Sequence, residues 1–139
     1  MIIFPYVSVG ELSFLDSRKG IQTKINLSFT SGVKEFEGIQ DFYDYFTEID
    51  LLVYYDKLDN VTAFEFYSGY LLFENISLFD KSYKYLFDFF SSIDNNINYE
   101  FTGFNSEKFG IVINAPEAID NNLVTPESIF VYRKGYYDD

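Results

Sequence analysis

A stripe of apolar residues with helical spacing runs through residues 81–92. Its members recur at positions i, i+3, i+4 and i+7, and they are Tyr83, Leu86, Phe87 and Phe90. Side chains with this spacing share one face of an α-helix. Asp80 is placed to cap the first turn, and the Asp-Asn-Asn sequence at 94–96 favours a turn that ends the helix. The pattern therefore predicts an amphipathic helix with Phe87 in the core.

Two apolar segments joined by a short polar one indicate a β-hairpin. They are residues 51–55 and 61–67, and the polar loop 56–60 between them has an ordinary hairpin length. Alternation divides the second strand into a face with Thr62, Phe64 and Phe66 and a face with Ala63, Glu65 and Tyr67. We assign the face that carries the phenylalanines to the core.

Further strands are predicted on both sides of this hairpin. They are the segments 42–46, 97–101, 109–113 and 129–133, which are rich in β-branched and aromatic residues. Residues 115–126 contain two prolines and an Asp-Asn-Asn sequence, so they are expected to form a loop.

Residues 17–29 fit a helix and a strand equally well. Ile21, Ile25 and Phe29 share a helical face, but the apolar and small polar residues from 21 to 29 also alternate as in a strand. A cap at Asp16 and Ser17 favours the helix, and Gly20 disfavours it. We prefer the helix, and the strand stays open as the alternative.

The order of these elements suggests a weak internal repeat. Residues 10–14 parallel residues 69–73, which indicates two α-β-β-β units over residues 10–68 and 69–135. The fold prediction is one α+β domain over residues 1–139. Its single antiparallel sheet has about six strands, and its two helices cover one face. The other face stays open, as antiparallel sheets allow.

The composition agrees with one folded domain and adds an excess of negative charge. The chain has 139 residues, a net charge of −12, and 13 Tyr and 17 Phe without Trp. So many aromatic rings cannot all be buried in a domain of this size. The acidic surplus opposes contact with nucleic acid or anionic membranes and speeds the encounter with a basic partner, although it also simply keeps an aromatic-rich protein dissolved. With no apolar segment long enough for a membrane span and no secretory pattern at the start, we expect a cytoplasmic protein.

The chain lacks the residue types on which most catalytic mechanisms depend. The chain has no His and no Cys, so the commonest general base and the strongest nucleophile are missing. No glycine-rich phosphate loop is present, and the carboxylates are spread along the chain. Asp56, Asp59 and Asn60 superficially suggest a calcium loop, but a hairpin turn explains them better. We therefore expect no catalytic residues, no cofactor and no metal.

The candidate residues for partner binding come from four regions. Strand alternation places Glu65 and Tyr67 on the open face, with Tyr54 on the neighbouring strand. Residues 36–50 combine acids and aromatics, and Asp44 represents this segment, which is either a docking surface or an ordinary half-buried strand. The remaining candidates are Asp56 and Asp59 at the hairpin tip and Tyr136 and Tyr137 near the end.

Two tyrosine-rich segments resemble a known family. They are Val53-Tyr54-Tyr55-Asp56 with the following Val61-Thr62-Ala63-Phe64-Glu65-Phe66, and Phe130-Val131-Tyr132-Arg133-Lys134-Gly135-Tyr136-Tyr137-Asp138. Both are similar to immunity proteins of bacterial contact-dependent growth inhibition and polymorphic toxin loci. The resemblance implies a cytoplasmic protein that binds the C-terminal domain of a cognate toxin and neutralises it without catalysis. Many such toxins are basic nucleases, which suits an acidic inhibitor.

Two alternatives remain open. An acidic mimic of nucleic acid would inhibit a DNA-binding protein, but it needs carboxylates arrayed over an extended surface. A small-ligand module would use an aromatic pocket on the sheet, and no motif in the chain specifies its ligand.

Overall fold

The computed structural model of the protein describes residues 1–138, and Asp139, the last residue of the predicted domain, lies outside the described residues. Over this range the chain is of the predicted α+β class, with two α-helices. The helices are α1 (Arg18–Ile25) and α2 (Tyr83–Ile93). The strands are β1 (Ile3–Phe4), β2 (Ser8–Val9), β3 (Leu12–Ser13), β4 (Thr30–Phe36), β5 (Ile39–Phe46), β6 (Leu51–Tyr55), β7 (Val61–Phe66), β8 (Leu72–Phe73), β9 (Ile76–Ser77), β10 (Asn98–Glu100), β11 (Gly103–Ser106), β12 (Ile111–Asn114) and β13 (Ser128–Tyr132). No helix within residues 1–138 is long and apolar enough to cross a membrane.

The main sheet is antiparallel and larger than predicted. Its strand order is β10-β11-β12-β13-β7-β6-β5-β4, which makes eight strands in the described chain instead of about six. The two strands of this sheet that were not predicted are β4 and β11. Most side chains of β4 are exposed, and β11 reads Gly-Phe-Asn-Ser, so neither carries the alternation of a half-buried strand. The other strands occur where predicted, with ends shifted by a few residues, and residues 115–126 form a loop that begins with a short 3₁₀ turn.

The two halves of the chain have the same order of elements. In each half a helix is followed by four consecutive antiparallel strands, β4 to β7 in the first half and β10 to β13 in the second. The last strands of both halves pair in the centre of the sheet, where Phe64 lies opposite Val131. Five further strands that were not predicted form two small sheets before the helices, β1-β2-β3 and β8-β9, so the described chain has more than the single sheet expected. An isolated parallel bridge joins Ile2 to Leu72.

The ambiguous segment at 17–29 begins as a helix. The Ser17 hydroxyl accepts a hydrogen bond from the backbone N–H of Gly20 at 3.1 Å, which satisfies a free donor of the first turn. The helix ends at Asn26, which adopts a left-handed conformation with φ of 52°. Ile21 is completely buried, so this short helix is anchored to the core through one side chain above all.

Helix α2 is confirmed, but its predicted cap is wrong. The Ser82 hydroxyl accepts from the backbone N–H of Tyr85 at 3.1 Å, whereas Asp80 accepts a hydrogen bond from Ser77 in the preceding turn. Ser82 is favoured because it stands directly before the first helical residue, where its side chain reaches the first turn. The helix ends at Asp94 as predicted.

Both helices pack on the same face of the main sheet, which we call the helix face. Leu86 and Phe90 of α2 and Ile21 of α1 share one core with the strands. The inward side chains of the predicted hairpin belong to this core and include Val53, Phe64 and Phe66. The prediction that the phenylalanines of β7 face the core is therefore confirmed. Phe87, which was predicted to lie in the core, is not one of its buried members; it is partly buried and packs against them.

Thr62 does not follow the predicted alternation. The pairing of β6 and β7 shifts between Tyr54 and Tyr55, so Tyr54 pairs with Ala63 and Tyr55 pairs with Val61. This β-bulge leaves Thr62 without a partner in β6 and places Val61 in the helix-face core. The sequence pattern did not show the bulge because a bulge depends on the partner strand.

Candidate protein-binding face

The face of the main sheet opposite the helices is rich in tyrosine. Strands β5, β6, β7 and β13 each send alternate side chains to it, because successive residues of a strand point to opposite sides. The apolar side chains on this face form one cluster, and within residues 1–138 neither helix contributes a side chain to it. We call it the tyrosine face and define it by Tyr43, Tyr45, Leu52, Tyr54, Tyr67, Phe130, Tyr132 and Tyr136.

A small residue on the central strand brings the rings of this face together. Ala63 on β7 pairs with Tyr54 on one side and with Tyr132 on the other. Ala63 has only a methyl side chain, which leaves room for larger neighbours, and the Tyr54 ring lies 5.9 Å from the Phe130 ring on the strand beyond β7. The Tyr43 ring continues the row at 6.4 Å from Tyr54. Rings at these distances and near-perpendicular angles attract one another beyond the area they bury.

A chain of hydrogen bonds crosses the same face. Lys34 Nζ donates to the Tyr54 hydroxyl at 2.8 Å, and that hydroxyl donates to Glu65 Oε1 at 2.8 Å. The other oxygen of Glu65 accepts from Ser128 Oγ at 2.9 Å, and Ser128 in turn accepts from Asn114 Nδ2 at 3.0 Å. Burial raises the pKa of Tyr54 far above its ordinary value, and the charge of Glu65 raises it further. Tyr54 therefore remains a protonated donor that fixes the position of Glu65.

A first cleft opens at the end of β5 and β6. The Tyr45 hydroxyl donates to Asp50 Oδ1 at 2.7 Å, and Ser68 Oγ donates to Asp50 Oδ2 at 3.0 Å. The cleft has a volume of about 610 Å³ and is open to solvent. We call it the Asp50 cleft; its lining residues are Thr30, Lys34, Tyr43, Tyr45, Thr47, Asp50, Leu52 and Tyr67.

A second cleft lies at the opposite end of these strands. The β4–β5 hairpin extends past β6, and its tip exposes Phe36 by 74% and Ile39 by 67%. These two side chains, with Arg133 and Tyr136 among others, line a groove of about 600 Å³. We call it the hairpin groove. The two clefts therefore lie at opposite ends of the tyrosine face.

The residues after β13 fold back over the tyrosine face. The Tyr136 ring lies 5.3 Å from the Phe130 ring, and the Tyr137 ring lies 5.0 Å from the Tyr132 ring. Burial raises the pKa of Tyr136 to about 12, with smaller contributions from the charges of Asp41 and Glu65. The predicted binding residues Tyr136 and Tyr137 thus pack against the sheet and border the hairpin groove.

The hairpin tip at 56–60 is a turn held by Asp56. Its carboxylate accepts hydrogen bonds from the backbone N–H groups of Leu58 at 2.9 Å and Asn60 at 3.0 Å. Burial alone would raise the pKa of Asp56, but these backbone donors keep it below its ordinary value. Asp59 is exposed and lies 3.4 Å from Arg18, at the start of α1 rather than on the tyrosine face.

Asp44 does not lie on an accessible surface, so its prediction as a surface contact is wrong. Its side chain is completely buried on the helix face, where Arg18 approaches it at 2.6 Å. Gln22 and Ser31 also donate to its carboxylate, at 2.8 and 2.7 Å. Burial by itself would raise the pKa of Asp44, but these donors outweigh it and hold the pKa below its ordinary value. Asp44 therefore joins α1 to the sheet.

The predicted site residues thus separate into two groups. Glu65, Tyr67 and Tyr136 lie together on the tyrosine face, with Tyr137 at its edge. Tyr54 lies on the same face, but it is only 6% exposed because neighbouring rings pack against it, so its prediction as an accessible contact is wrong. Asp56 borders the hairpin groove, while Asp44 and Asp59 both contact Arg18 on the other side of the sheet.

Four residues that line the Asp50 cleft were not named individually from the sequence: Lys34, Tyr43, Tyr45 and Asp50. The last three fall within the segment 36–50 that was considered as a docking surface. Tyr43 and Tyr45 are two positions apart in a predicted strand, and this spacing was the available signal that they share a face. Asp50 has no such signal, because its contact with Tyr45 depends on the turn between β5 and β6.

Over the described residues, no group of three or more Asp and Glu side chains is arranged to hold a metal ion. Comparison of the chain with protein-family models, with curated proteins and with solved structures gave no match. The arrangement of aromatic rings, hydroxyl groups and carboxylates is best suited to contact with another molecule.

Proposed function

We propose that the protein binds another protein through its tyrosine face, and that the partner is a toxin domain which it neutralises in the cytoplasm without catalysis. The observation that carries this proposal is the sheet face itself. It has no helical cover in residues 1–138, it is already closed by packed tyrosines, and it is flanked by two open clefts.

The chemistry of this face resembles that of protein interfaces. Tyrosine is enriched at interfaces because a large rigid ring supplies apolar contact while its hydroxyl stays hydrogen-bonded. Tyr43, Tyr45 and Tyr67 are each half-buried, so a partner can still cover part of every ring. Since the rings already pack on the sheet, little side-chain freedom is lost on binding.

The charge of the chain indicates a basic partner. A net charge of −12 speeds the encounter with a positive surface and disfavours contact with nucleic acid or an anionic membrane. Glu65 and Asp50 place two carboxylates on the face itself. A nuclease toxin presents the basic surface that this combination suits, in agreement with the family that the two tyrosine-rich segments resemble.

Co-expression tests the proposal directly. The toxin domain encoded beside this gene is induced in cells with and without the protein, and growth is measured. We expect the protein to restore growth and to form a complex with the purified toxin domain. A neighbouring gene without a toxin domain, or a toxin whose killing is unaffected, would contradict the function.

Replacing one ring tests the role of the face. Tyr67→Ala should weaken the complex by about 1–4 kcal/mol, mostly through faster dissociation, because aromatic anchors carry much of the energy of an interface. Tyr85→Ala is the matched control, since Tyr85 is an exposed tyrosine on α2. Equal affinities for the two variants, with unchanged melting temperatures, would place the contact elsewhere.

A further inference from the structure

We propose that the Asp50 cleft receives one arginine side chain of the partner, held between tyrosine rings with its guanidinium against the Asp50 carboxylate. This inference rests on the proposed function and adds the chemistry by which the face recognises its partner. It follows from the residues that line the cleft, from the hydrogen bonds and missing ion pair of Asp50, and from the position of the cleft on the tyrosine face.

The walls of the cleft suit a cation. Tyr43, Tyr45 and Tyr67 line its sides, and Leu52 provides an apolar floor. The faces of tyrosine rings attract ammonium and guanidinium groups. The protein already uses this attraction in the wall of the cleft, where Lys34 Nζ lies 5.9 Å from the centre of the Tyr43 ring and 5.2 Å from that of Tyr54.

Asp50 supplies the carboxylate of this cleft, and this carboxylate is not paired with a Lys or Arg side chain of the described residues. Lys34 is instead bound to the Tyr54 hydroxyl, which donates to Glu65. The hydroxyls of Tyr45 and Ser68 each donate to a different oxygen of Asp50 and so fix its orientation, and each oxygen keeps a lone pair for another donor.

These features favour arginine presented by a protein over a free small cation. The planar guanidinium stacks on tyrosine rings and donates two parallel hydrogen bonds to a carboxylate, which the compact ammonium of lysine does not do. The cleft is wide open, so it does not enclose a small ligand by itself. A side chain projecting from a docked protein is covered by the rest of the interface.

A probe titration tests the chemistry without the toxin. The wild-type protein is titrated with N-acetylarginine amide and, as a neutral isostere, with N-acetylcitrulline amide, while the ring signals of Tyr45 and Tyr67 are followed by NMR. We expect saturable shifts with the arginine compound only, with a dissociation constant below roughly 100 mM, and their loss in Asp50→Asn. Equal shifts with both compounds, or none with the arginine compound, would overturn the inference.

Affinity for the toxin domain tests the same cleft in the complex. Asp50→Asn should weaken binding roughly 10- to 100-fold, because a charge-assisted contact is lost. Asn tolerates the left-handed backbone of residue 50, whose φ is 52°, and keeps an acceptor for Tyr45, so the fold is expected to remain. The control is Glu48→Gln, which removes an exposed charge two positions away, outside the Asp50 cleft, and should change affinity less than about twofold.

The two proposals fail in different ways. If the wild-type protein binds the toxin and Asp50→Asn binds equally well, the arginine site is refuted and the proposed function stands. If no complex forms, the proposed function is refuted, and the probe titration still decides what the cleft accepts. When the complex forms, replacing the toxin's contacting arginine with Gln should remove the effect of Asp50→Asn.

Discussion

The two faces of the main sheet are both apolar, but they are closed in different ways. On the helix face, aliphatic and phenylalanine side chains such as Phe64, Ile113 and Val131 are completely buried beneath α1 and α2. On the tyrosine face, Leu52 and Ala63 are covered by neighbouring tyrosine rings of the sheet and its flanking segments. One face is covered by a second layer of chain, and the other by its own side chains.

Under the proposed function, this difference separates stability from recognition. The helix face excludes water from a large apolar surface, which is the main source of folding free energy. The tyrosine face buries less, but the hydroxyl groups of Tyr54 and Tyr45 are held by Glu65 and Asp50, so these two rings are already ordered in the protein alone. Substitutions on the helix face should therefore change unfolding, and those on the tyrosine face should change binding more than unfolding.

The largest effect on stability is expected at Phe90 in α2. Phe90 is completely buried, and its ring stacks on Phe73 at 5.4 Å and contacts Phe104 at the same distance. Phe90→Ala leaves a cavity and should lower the free energy of unfolding by about 3–5 kcal/mol. Urea denaturation measures this loss. A change in unfolding free energy below about 1 kcal/mol would show that Phe90 does not contribute to the core as described, and it would weaken the contrast between the two faces.

The next largest effect is expected at Asp44, where the helix face contains a buried charge. Asp44→Asn should cost about 2–3 kcal/mol at pH 7, because charged hydrogen bonds to Arg18, Gln22 and Ser31 are lost or weakened. The pKa of Asp44 lies below its ordinary value of 3.8. Its contribution is therefore present above pH 3.8 and is lost as the pH falls through the folded pKa.

Urea denaturation at several pH values checks this dependence. The difference in unfolding free energy between wild type and Asp44→Asn should be constant near pH 7 and should shrink below pH 3.8. A difference that stays the same at pH 3 would mean that the Asp44 carboxylate does not stabilise the fold through its charge.

A smaller effect is expected at Glu65, on the tyrosine face. Glu65→Gln removes the charge that faces Tyr54 and, through it, Lys34, and should lower stability by about 1 kcal/mol. Partner affinity should fall by more than stability does, because the position of Tyr54, against which the other rings of the face pack, depends on this carboxylate. Glu127→Gln, at an exposed residue beside Ser128, is the control for the lost charge. Equal behaviour of the two variants would show that the hydrogen-bond chain does not order the face.

The sequence predicted those parts of the fold whose signal is local. Helix α2 and the β6–β7 hairpin followed from residue spacing, and the face that carries Glu65 and Tyr67 followed from its alternation with Phe64 and Phe66. The edge strand β4 escaped prediction, because an edge strand exposed on both sides has no hydrophobic period. Strand β11 escaped because its glycine and polar residues are buried through pairing rather than through apolar character.

Contacts between distant residues account for the other errors. Asp44 and Tyr43 are adjacent in a segment that combines acids and aromatics, yet one is buried and the other lies on the tyrosine face. The burial of Asp44 depends on Arg18, which is 26 residues away. The Asp50 cleft likewise depends on the order of the strands in the sheet. That order brings Tyr67, directly after β7, into the same cleft as Tyr45 of β5.

The smallest effect is expected at Asp59, an acid on the helix side of the hairpin tip. Asp59→Asn keeps a residue that tolerates the local φ of 62° and removes an exposed ion pair with Arg18 at 3.4 Å. Arg18 retains its bond to the buried Asp44, so stability should change by no more than about 0.5 kcal/mol. Because Asp59 lies away from the tyrosine face, only long-range attraction to a basic partner is reduced, and association at low salt should slow by less than about twofold. Stopped-flow measurements at two salt concentrations test this. A clear increase in the dissociation rate would place the hairpin tip in direct contact with the partner, and recognition would then extend beyond the tyrosine face.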